Sequence, residues 1–362
     1  MAEYIIDSYD VRRIEVLDPQ GAVDEALLPP LSGDDTKRAY ELLVLSRAFD
    51  ERALALQREG RLGTYPSILG QEAAQVGSAL AIAKVDWVFP SFREMGVHIT
   101  LGYPIPLLYR YWAGDERGGQ TPDALNIAPI CVSVGTHLPH AVGAALAARI
   151  RGDRIAVTAY FGDGATSKGD FHEAFNMAGV FNLPIVFICQ NNQWSISLPV
   201  KQQTATKTLA QKAWAYGFEG VQVDGNDVFA VYRATRAALE KARSGAGPTF
   251  IECLTYRIAD HTTADDASRY RPASEVEEWQ RKDPLLRVRL FMEKRGLWTE
   301  ADEKSVWERA RGTIDAAVAE AESAAPPEAS DMFDYVSANL SPRQKRQQSE
   351  MIQRGGVGKD KT

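Results

Sequence analysis

The chain has 362 residues, of which 45% are hydrophobic and 25% are charged, and its formal net charge is -7. This is the composition of a globular protein, and the negative charge disfavours a nucleic-acid partner, which would need a basic face. No run approaches the roughly 20 apolar residues of a membrane helix, and the acidic N-terminus lacks the order of a secretory signal, so we expect a cytoplasmic protein.

The first 35 residues mix charges with turn sequences such as Asp18-Pro19-Gln20-Gly21, which predicts an extended arm rather than a packed element. A helix is predicted to follow, with Asp34 or Asp35 as its N-cap and Gly60 as its end. Three scattered cysteines fit neither a zinc site nor a disulfide framework, and each is expected to be buried in an apolar run.

Strand and helix patterns alternate between residues 85 and 255. Predicted strands cover residues 87–89, 130–134, 155–161, 184–189, 220–223 and 249–254, and predicted helices cover 137–150, 170–181, 207–216 and 228–243, the last capped by Asn226 or Asp227. The connections are long enough for right-handed crossovers. The pattern therefore predicts an α/β fold with a doubly wound, mostly parallel sheet flanked by helices.

Charged helices are predicted at 274–296 and 299–324, before a basic tail that is either solvated or packed on another subunit. The predicted organisation has three parts, an N-terminal arm (1–35), an α/β domain (36–272) and a C-terminal helical extension with a tail (273–362).

Polar motifs follow two consecutive predicted strands. Gly162-Asp163-Gly164-Ala165 comes after the strand at 155–161, and Gln190-Asn191-Asn192 comes after the strand at 184–189. Ligands bind at the carboxyl ends of parallel strands, glycines allow a close approach, and Mg²⁺ with a diphosphate prefers hard oxygen ligands. We therefore expect a Mg²⁺ site formed by the side chains of Asp163 and Asn192 and the backbone carbonyl of Trp194.

Two simpler explanations of these motifs are weaker. A plain turn and a plain loop would explain either motif alone, but they rarely occur together at neighbouring strand ends. A nicotinamide dinucleotide fingerprint would need Gly or Ala where the chain has Ser167, and an acidic ribose anchor where it has Gln190-Asn191-Asn192.

These motifs resemble the thiamine diphosphate motif, and the chain is similar to the alpha subunits of two-subunit 2-oxo acid dehydrogenases. The resemblance covers nearly the whole chain and includes residues 46–50, 70–73, 90–94, 223–227 and 256–262. It implies a thiamine-diphosphate-binding fold, a requirement for thiamine diphosphate and Mg²⁺, and a small 2-oxo acid as substrate. It also implies a beta subunit in a heterotetramer of two alpha and two beta chains, and a lipoyl-bearing acyltransferase component as acyl acceptor.

The resemblance also implies roles for individual residues. Cofactor binding falls to Phe92, Arg93, Val132, Val134, Gly162, Asp163, Gly164, Ala165, Asn192, Trp194 and His261. Arg93 follows the strand at 87–89 and would hold the diphosphate, while Val132 and Val134 would offer backbone groups to the aminopyrimidine ring.

His261 lies in a polar loop after the last strand and is the one predicted catalytic residue. It would contact the cofactor and assist acyl transfer, for which a side chain that can give or take a proton is suited. Arg257, Asp265, Tyr270 and Arg271 would order its loop. The other histidines, His98, His137, His140 and His172, are expected to be structural.

Some positions depart from the family pattern. Phe92 stands where the family usually has tyrosine, and His137 stands where glutamine is common. The glutamate that activates the cofactor belongs to the beta subunit in the resembling enzymes, and Glu72 and Glu94 are expected to be structural here. The chain is therefore predicted to be half of an active site.

The motifs leave more than one substrate and more than one class of protein open. Residues 60–65 and 200–204 favour a pyruvate dehydrogenase, whereas residues 223–228 and 256–258 are similar to branched-chain 2-oxo acid dehydrogenases. Pyruvate is the first choice. An NAD-dependent dehydrogenase and a noncatalytic assembly subunit are alternatives of other classes.

Overall fold

The computed structural model describes residues 3–328, 330–334 and 336–355. A six-stranded sheet has the order β1-β7-β8-β4-β3-β2, and every pairing in it is parallel. Its strands are β1 Arg12–Ile14, β2 Trp87–Phe89, β3 Val157–Gly162, β4 Ile185–Asn191, β7 Glu219–Asp224 and β8 Thr249–Leu254, and a separate hairpin joins β5 Trp194–Ser195 to β6 Leu198–Pro199. The predicted doubly wound α/β fold is confirmed.

The described residues also form α-helices. They are α1 Gly33–Arg58, α2 Glu72–Ala79, α3 Met95–Thr100, α4 Ile105–Trp112, α5 His137–Arg151, α6 Gly169–Val180, α7 Val200–Gln203, α8 Val228–Arg243, α9 Ala273–Gln280, α10 Pro284–Lys294, α11 Glu300–Ser323 and α12 Pro342–Gly355. Short 3-10 helices span Glu116–Gly119, Asp163–Ser167, Ala210–Tyr216 and Ala267–Arg269. In the described part of the chain, none of the helices is both long and apolar enough to cross a membrane.

The structure divides the chain into two compact units after Val318. The first unit holds the sheet, the helices up to α10 and most of α11, and the second holds the end of α11 and α12. The boundary between arm, α/β domain and extension at residues 35 and 272 stays a prediction.

Aromatic side chains fill the core between β3, β4 and α6. Phe161, Phe171, Phe175 and Phe187 are fully buried, and the ring centroids of Phe171 and Phe175 are 3.9 Å apart. Ring pairs of this kind add to the free energy gained by apolar burial. This packing gives the carboxyl ends of β3 and β4 a rigid support.

The N-terminal segment is packed only in part: residues 3–10 are exposed, as expected for an extended arm, whereas the stretch after them joins the sheet, which the sequence did not suggest. Strand β1 pairs with β7, and the buried backbone N–H groups of Val16 and Leu17 donate to Oδ2 of Asp227 at 2.6 and 2.7 Å. The other oxygen of Asp227 accepts from the first amides of α8, which confirms it as the cap of that helix. One carboxylate therefore holds both the segment and the helix.

Other elements differ from their predictions. Residues 130–134 are a loop, because the chain pairs with β2 only through a bridge at Ile127 and then leaves the sheet. The predicted helix at 207–216 is the 3-10 helix Ala210–Tyr216. The predicted helix at 274–296 is two helices, since Asp283 caps a new helix that starts with Pro284.

Two single-residue expectations are also wrong. The N-cap of α1 is Ser32, and Asp35 completes a capping box with it. Cys131 is only partly buried because it lies in the 130–134 loop, whereas Cys189 and Cys253 are buried as expected.

Candidate active site

A cavity of about 250 Å³ lies at the sheet edge where β3 and β4 end. Gly162 and Gln190 are paired at the ends of these strands, so Asp163 and Asn192 follow at neighbouring points. All of the residues predicted to bind the cofactor line this cavity, from Phe92 to His261. The structure thus brings them together, and their individual roles stay predictions.

Asp163 begins the 3-10 helix after β3 and is 2% exposed. Nε2 of Gln203 donates to its Oδ2 at 2.7 Å. Burial raises the pKa of Asp163 to about 6, against the opposing effect of the Gln203 hydrogen bond. A buried carboxylate whose negative charge is so little stabilised by its neighbours is suited to binding a cation.

Asn192 is held by its neighbours in a defined orientation. Its Nδ2 donates to Oε1 of Gln71 at 3.1 Å, and its Oδ1 accepts from the backbone N–H of Trp194 at 3.3 Å. Gln71 is fully buried, and its own Nε2 has no hydrogen-bond partner in the described part of the chain. A buried donor without a partner is costly, so Nε2 of Gln71 is available to an acceptor atom of a ligand.

The cavity lining also contains a buried positive charge. Arg93 is 5% exposed; its Nη1 donates to the carbonyl of Ser67 at 2.6 Å, and its Nη2 donates to the carbonyl of His261 at 2.8 Å. Burial and the nearby guanidinium of Arg257 lower the pKa of Arg93 to about 10. Arg93 and Arg257 are both buried, and a buried positive charge favours an anionic ligand in the cavity that Arg93 lines.

His261 is neutral in this environment. Nη2 of Arg93 is 3.2 Å from its Nδ1, and a guanidinium can only donate, so Nδ1 accepts and the ring proton is on Nε2. Burial, followed by the charges of Arg93 and Arg257, lowers the pKa of His261 to about 4. The ring of Phe92 meets the imidazole edge-on, with centroids 6.1 Å apart.

The residues predicted to order the His261 loop form one hydrogen-bonded network beside the cavity. Arg257 is fully buried, and its Nη2 donates to the hydroxyl of Tyr270 and to the carbonyl of Ile196, both at 2.8 Å. Asp265 accepts from the Tyr270 hydroxyl and from the backbone N–H of His261. Their role in ordering the loop stays a prediction that this network supports.

Arg271 completes that network. It donates to three consecutive backbone carbonyls at the start of the loop, those of Arg257, Ile258 and Ala259. These bonds hold the backbone that leads to His261.

Val132 and Val134 are exposed at the rim, with 59% and 42% of their surface accessible, and not in a buried strand as the sequence suggested. The 130–134 loop leads into α5 through Gly135, whose φ of +81° favours glycine. Both valines still line the cavity.

The remaining candidates separate into structural and cavity-lining groups. Glu72 is buried in an ion pair with Arg47, and His137 donates from Nε2 to the carbonyl of Tyr160 at 2.7 Å, as expected for structural residues. Glu94, in contrast, lines the cavity, and burial raises its pKa to about 7.

Sequence reasoning missed the cavity residues Gln71, Ser195 and Ile196, as well as Gln203 behind Asp163, and it named Gln190 only as part of a motif and Glu94 only as a structural residue. Gln71, Glu94 and Gln203 lie inside segments that already carried the family resemblance, so those segments were the available signal. Ile196 has a φ of +55°, a strained conformation for a β-branched residue, which sequence alone does not reveal.

The residues present fit a diphosphate with a divalent cation. No cluster of three His, Cys, Asp or Glu residues suited to a metal occurs among the described residues. Mg²⁺ commonly needs only one or two protein carboxylates when phosphate oxygens complete its ligands. Asp163 supplies one carboxylate, Gln71 an unused donor, and Arg93 a positive charge for the anion.

Comparisons with known proteins identify the family of the chain. Residues 40–330 match the family described as dehydrogenase E1 component. The chain belongs to that family, and the family inferred from the sequence is confirmed.

The chain is similar to alpha subunits of two kinds of 2-oxo acid dehydrogenase. It is 44% identical over 306 residues to the 3-methyl-2-oxobutanoate dehydrogenase subunit alpha of Mycobacterium tuberculosis, covering 84% of this chain and 83% of the relative. It is 42% identical over 311 residues to the pyruvate dehydrogenase E1 component subunit alpha of Staphylococcus aureus, covering 85% and 84%. The predicted similarity to alpha subunits of 2-oxo acid dehydrogenases is confirmed, and both types are about equally similar to the chain.

Proposed function

We propose that this chain is the alpha subunit of a thiamine-diphosphate-dependent 2-oxo acid dehydrogenase, and that it acts on pyruvate in a heterotetramer with a beta subunit. The observation that carries the proposal is that Asp163 and Asn192, which follow adjacent strands, line one cavity together with the buried Arg93. This arrangement offers oxygen ligands to Mg²⁺ and a positive charge to a diphosphate in one cavity.

Each residue has a defined task in this proposal. Asp163, Asn192 and the Trp194 carbonyl would hold Mg²⁺, and Arg93 and Nε2 of Gln71 would bind phosphate oxygens. When bound, thiamine diphosphate supplies an electron sink for the loss of carbon dioxide from the 2-oxo acid. His261 is neutral and carries its ring proton on Nε2, from which it can donate a hydrogen bond to an oxygen of the reacting acyl group.

We infer that a partner is needed, because neither of the two buried glutamates considered for activating the cofactor, Glu72 and Glu94, is free among the described residues. Glu72 is engaged by Arg47, and Glu94 accepts from Nε2 of Gln190 at 2.7 Å and from the backbone N–H of Arg93 at 3.0 Å. Both carboxylates therefore have structural partners. The beta subunit would supply the activating glutamate, and a lipoyl-bearing acyltransferase would accept the acyl group.

The test is isothermal titration of thiamine diphosphate into the complex of this chain with its beta subunit, with and without Mg²⁺. We expect Mg²⁺-dependent binding that Asp163→Ala abolishes and that the substitution of an exposed residue, Asp123→Ala, leaves unchanged. Normal binding by Asp163→Ala would refute the metal assignment. Binding of NAD without Mg²⁺ would instead indicate a nicotinamide enzyme, and binding of neither cofactor a noncatalytic assembly subunit.

The substrate is tested separately by steady-state kinetics. Residues 60–65 and 200–204 favour pyruvate, so we expect a higher kcat/KM for pyruvate than for 3-methyl-2-oxobutanoate. The reverse order would assign the chain to the branched-chain type, to which the Mycobacterium tuberculosis relative belongs.

A further inference from the structure

Gln203 makes the closest side-chain contact to Asp163. It is the last residue of α7, and its Nε2 donates to Oδ2 of Asp163 at 2.7 Å and to the carbonyl of Leu198 at 3.2 Å. Oδ1 of Asp163 accepts no hydrogen bond from another residue of the described chain. One carboxylate oxygen is therefore held by an amide, and the other remains for a ligand.

The position of Gln203 is built by the hairpin of β5 and β6. The hairpin begins at Trp194, turns, and leads into α7, where the backbone N–H of Val200 donates to the carbonyl of Gln193 at 3.0 Å. The hairpin lies directly against the turn that carries Asp163, because a Cβ on Gly164 would come within 2.9 Å of the Cβ of Ser195. One short element thus carries both Trp194, whose carbonyl accepts from Nη1 of Arg257 at 3.3 Å, and the Gln203 amide.

The single hydrogen bond from Gln203 does not compensate for the burial of the Asp163 carboxylate. The carboxylate is 2% exposed, and Gln203 is its one side-chain donor among the described residues. A buried carboxylate normally has several donors or a cation. Carboxylates that ligate a metal ion, in contrast, commonly accept a hydrogen bond on one oxygen, and this bond fixes the orientation of the carboxylate.

We propose that Gln203 is a positioning residue for the divalent cation: its amide fixes the Asp163 carboxylate so that the free oxygen can ligate the ion. This inference rests on the proposed function, since it assumes that Asp163 binds Mg²⁺ with the cofactor. It adds that the segment from Trp194 to Gln203 acts as one unit. Loss of the Gln203 contact should therefore weaken binding of the cation but leave the contacts between Arg93 and the diphosphate unchanged.

The test compares Gln203→Met with Gln202→Met in the complex with the beta subunit. Methionine has nearly the size of glutamine but donates no hydrogen bond, and Gln202 is an exposed glutamine on the same helix. Mg²⁺ is titrated at a fixed concentration of thiamine diphosphate, with binding followed by calorimetry. We expect Gln203→Met to raise the Mg²⁺ concentration at half-saturation by about 10- to 100-fold, and Gln202→Met to change it less than twofold.

A second variant tests whether the reach of the amide matters. Gln203→Asn keeps the amide on a side chain shortened by one methylene, so it should weaken Mg²⁺ binding like methionine does, and circular dichroism checks the fold of each variant. At saturating Mg²⁺ the affinity for thiamine diphosphate should return to that of the unsubstituted protein.

The outcomes separate the inference from the proposed function. Equal Mg²⁺ dependence for Gln203→Met and Gln202→Met would overturn the positioning role. Tighter Mg²⁺ binding by Gln203→Met would also overturn it, because the amide would then compete with the ion. Absence of Mg²⁺-dependent binding in the unsubstituted complex would refute the proposed function itself.

Discussion

Arg93 donates from Nη1 to the backbone carbonyl of Ser67 at 2.6 Å, so the guanidinium depends on the placement of that segment. The segment is held in turn by Asp50, which is 1% exposed. The carboxylate of Asp50 accepts from the hydroxyl of Tyr65, the hydroxyl of Ser67 and the backbone N–H of Ile68, at 2.7, 2.6 and 2.7 Å. A residue outside the cavity therefore positions a residue inside it.

Asp50→Asn should lower both stability and ligand affinity. Hydrogen bonds to a charged acceptor contribute more than neutral ones, so we expect a loss of about 2 kcal/mol in the free energy of unfolding, measured in urea. The displaced Arg93 should also weaken thiamine diphosphate binding. The exposed control Asp123→Asn should change stability by less than about 0.5 kcal/mol. Similar effects of both substitutions would show that Asp50 is not the anchor of this segment.

The neutral His261 predicts a defined pH dependence of stability. Its pKa falls from 6.5 to about 4 on folding, chiefly through burial, so the unfolded chain binds the proton more tightly than the folded chain. The stability that neutral His261 contributes is complete above about pH 6.5 and is lost as the pH falls toward 4. His261→Gln removes this titration.

Thermal unfolding of both proteins between pH 7 and pH 4 measures the effect. The unsubstituted protein should lose more stability than His261→Gln across this interval, because only its imidazole has to stay unprotonated to remain folded. Parallel curves would mean that the folded protein binds a proton at His261 as readily as the unfolded chain does.

Two glycines of the turn after β3 should respond differently to alanine. A Cβ at Gly164 would come within 2.9 Å of the Cβ of Ser195, whereas a Cβ at Gly162 meets nothing within 4 Å. Gly164→Ala should therefore destabilise the free protein by about 1–3 kcal/mol through overpacking. Gly162→Ala should leave the free protein stable and weaken thiamine diphosphate binding, since the open space there belongs to the ligand.

Urea unfolding and calorimetry of the two glycine variants check this contrast. A stable Gly164→Ala would show that the hairpin moves away easily. Unchanged affinity of Gly162→Ala would place the diphosphate elsewhere.

Arg47 should be needed for stability rather than for chemistry. It forms ion pairs with Glu72, which is fully buried, and with Asp283 at 2.9 Å. Arg47→Met leaves a buried carboxylate without its cation, so we expect a loss of about 3–5 kcal/mol in the free energy of unfolding. Arg236→Met, which breaks an exposed pair with Glu240, should cost at most about 0.5 kcal/mol in the same measurement. Equal losses would contradict the structural role of Glu72.

The sequence was sufficient for the parts of the fold that depend on local pattern. Strands β3 and β4 are buried on both faces, so their apolar runs were diagnostic, and the residue types that follow them indicated a metal and a phosphate. The run at 130–134 has the same β-branched character, yet Val132 and Val134 are exposed. A short apolar run does not distinguish a buried strand from the rim of a ligand cavity.

Contacts between distant residues could not be predicted in this way. Strand β1 contains two arginines, and it pairs with β7 through backbone hydrogen bonds. Its residue types therefore do not indicate this pairing. Gln71 and Gln203 reach Asn192 and Asp163 from 121 and 40 residues away. Amide partners of this kind become visible only once the chain is folded.

The carboxylate of Asp227 imposes an order on the folding of the chain. It joins the backbone of Val16, 211 residues earlier, to the start of α8. The first strand also lacks its neighbour until β7 has been made. During synthesis the N-terminal segment must therefore remain unpaired until most of the sheet exists, which makes closing the β1 edge a late step.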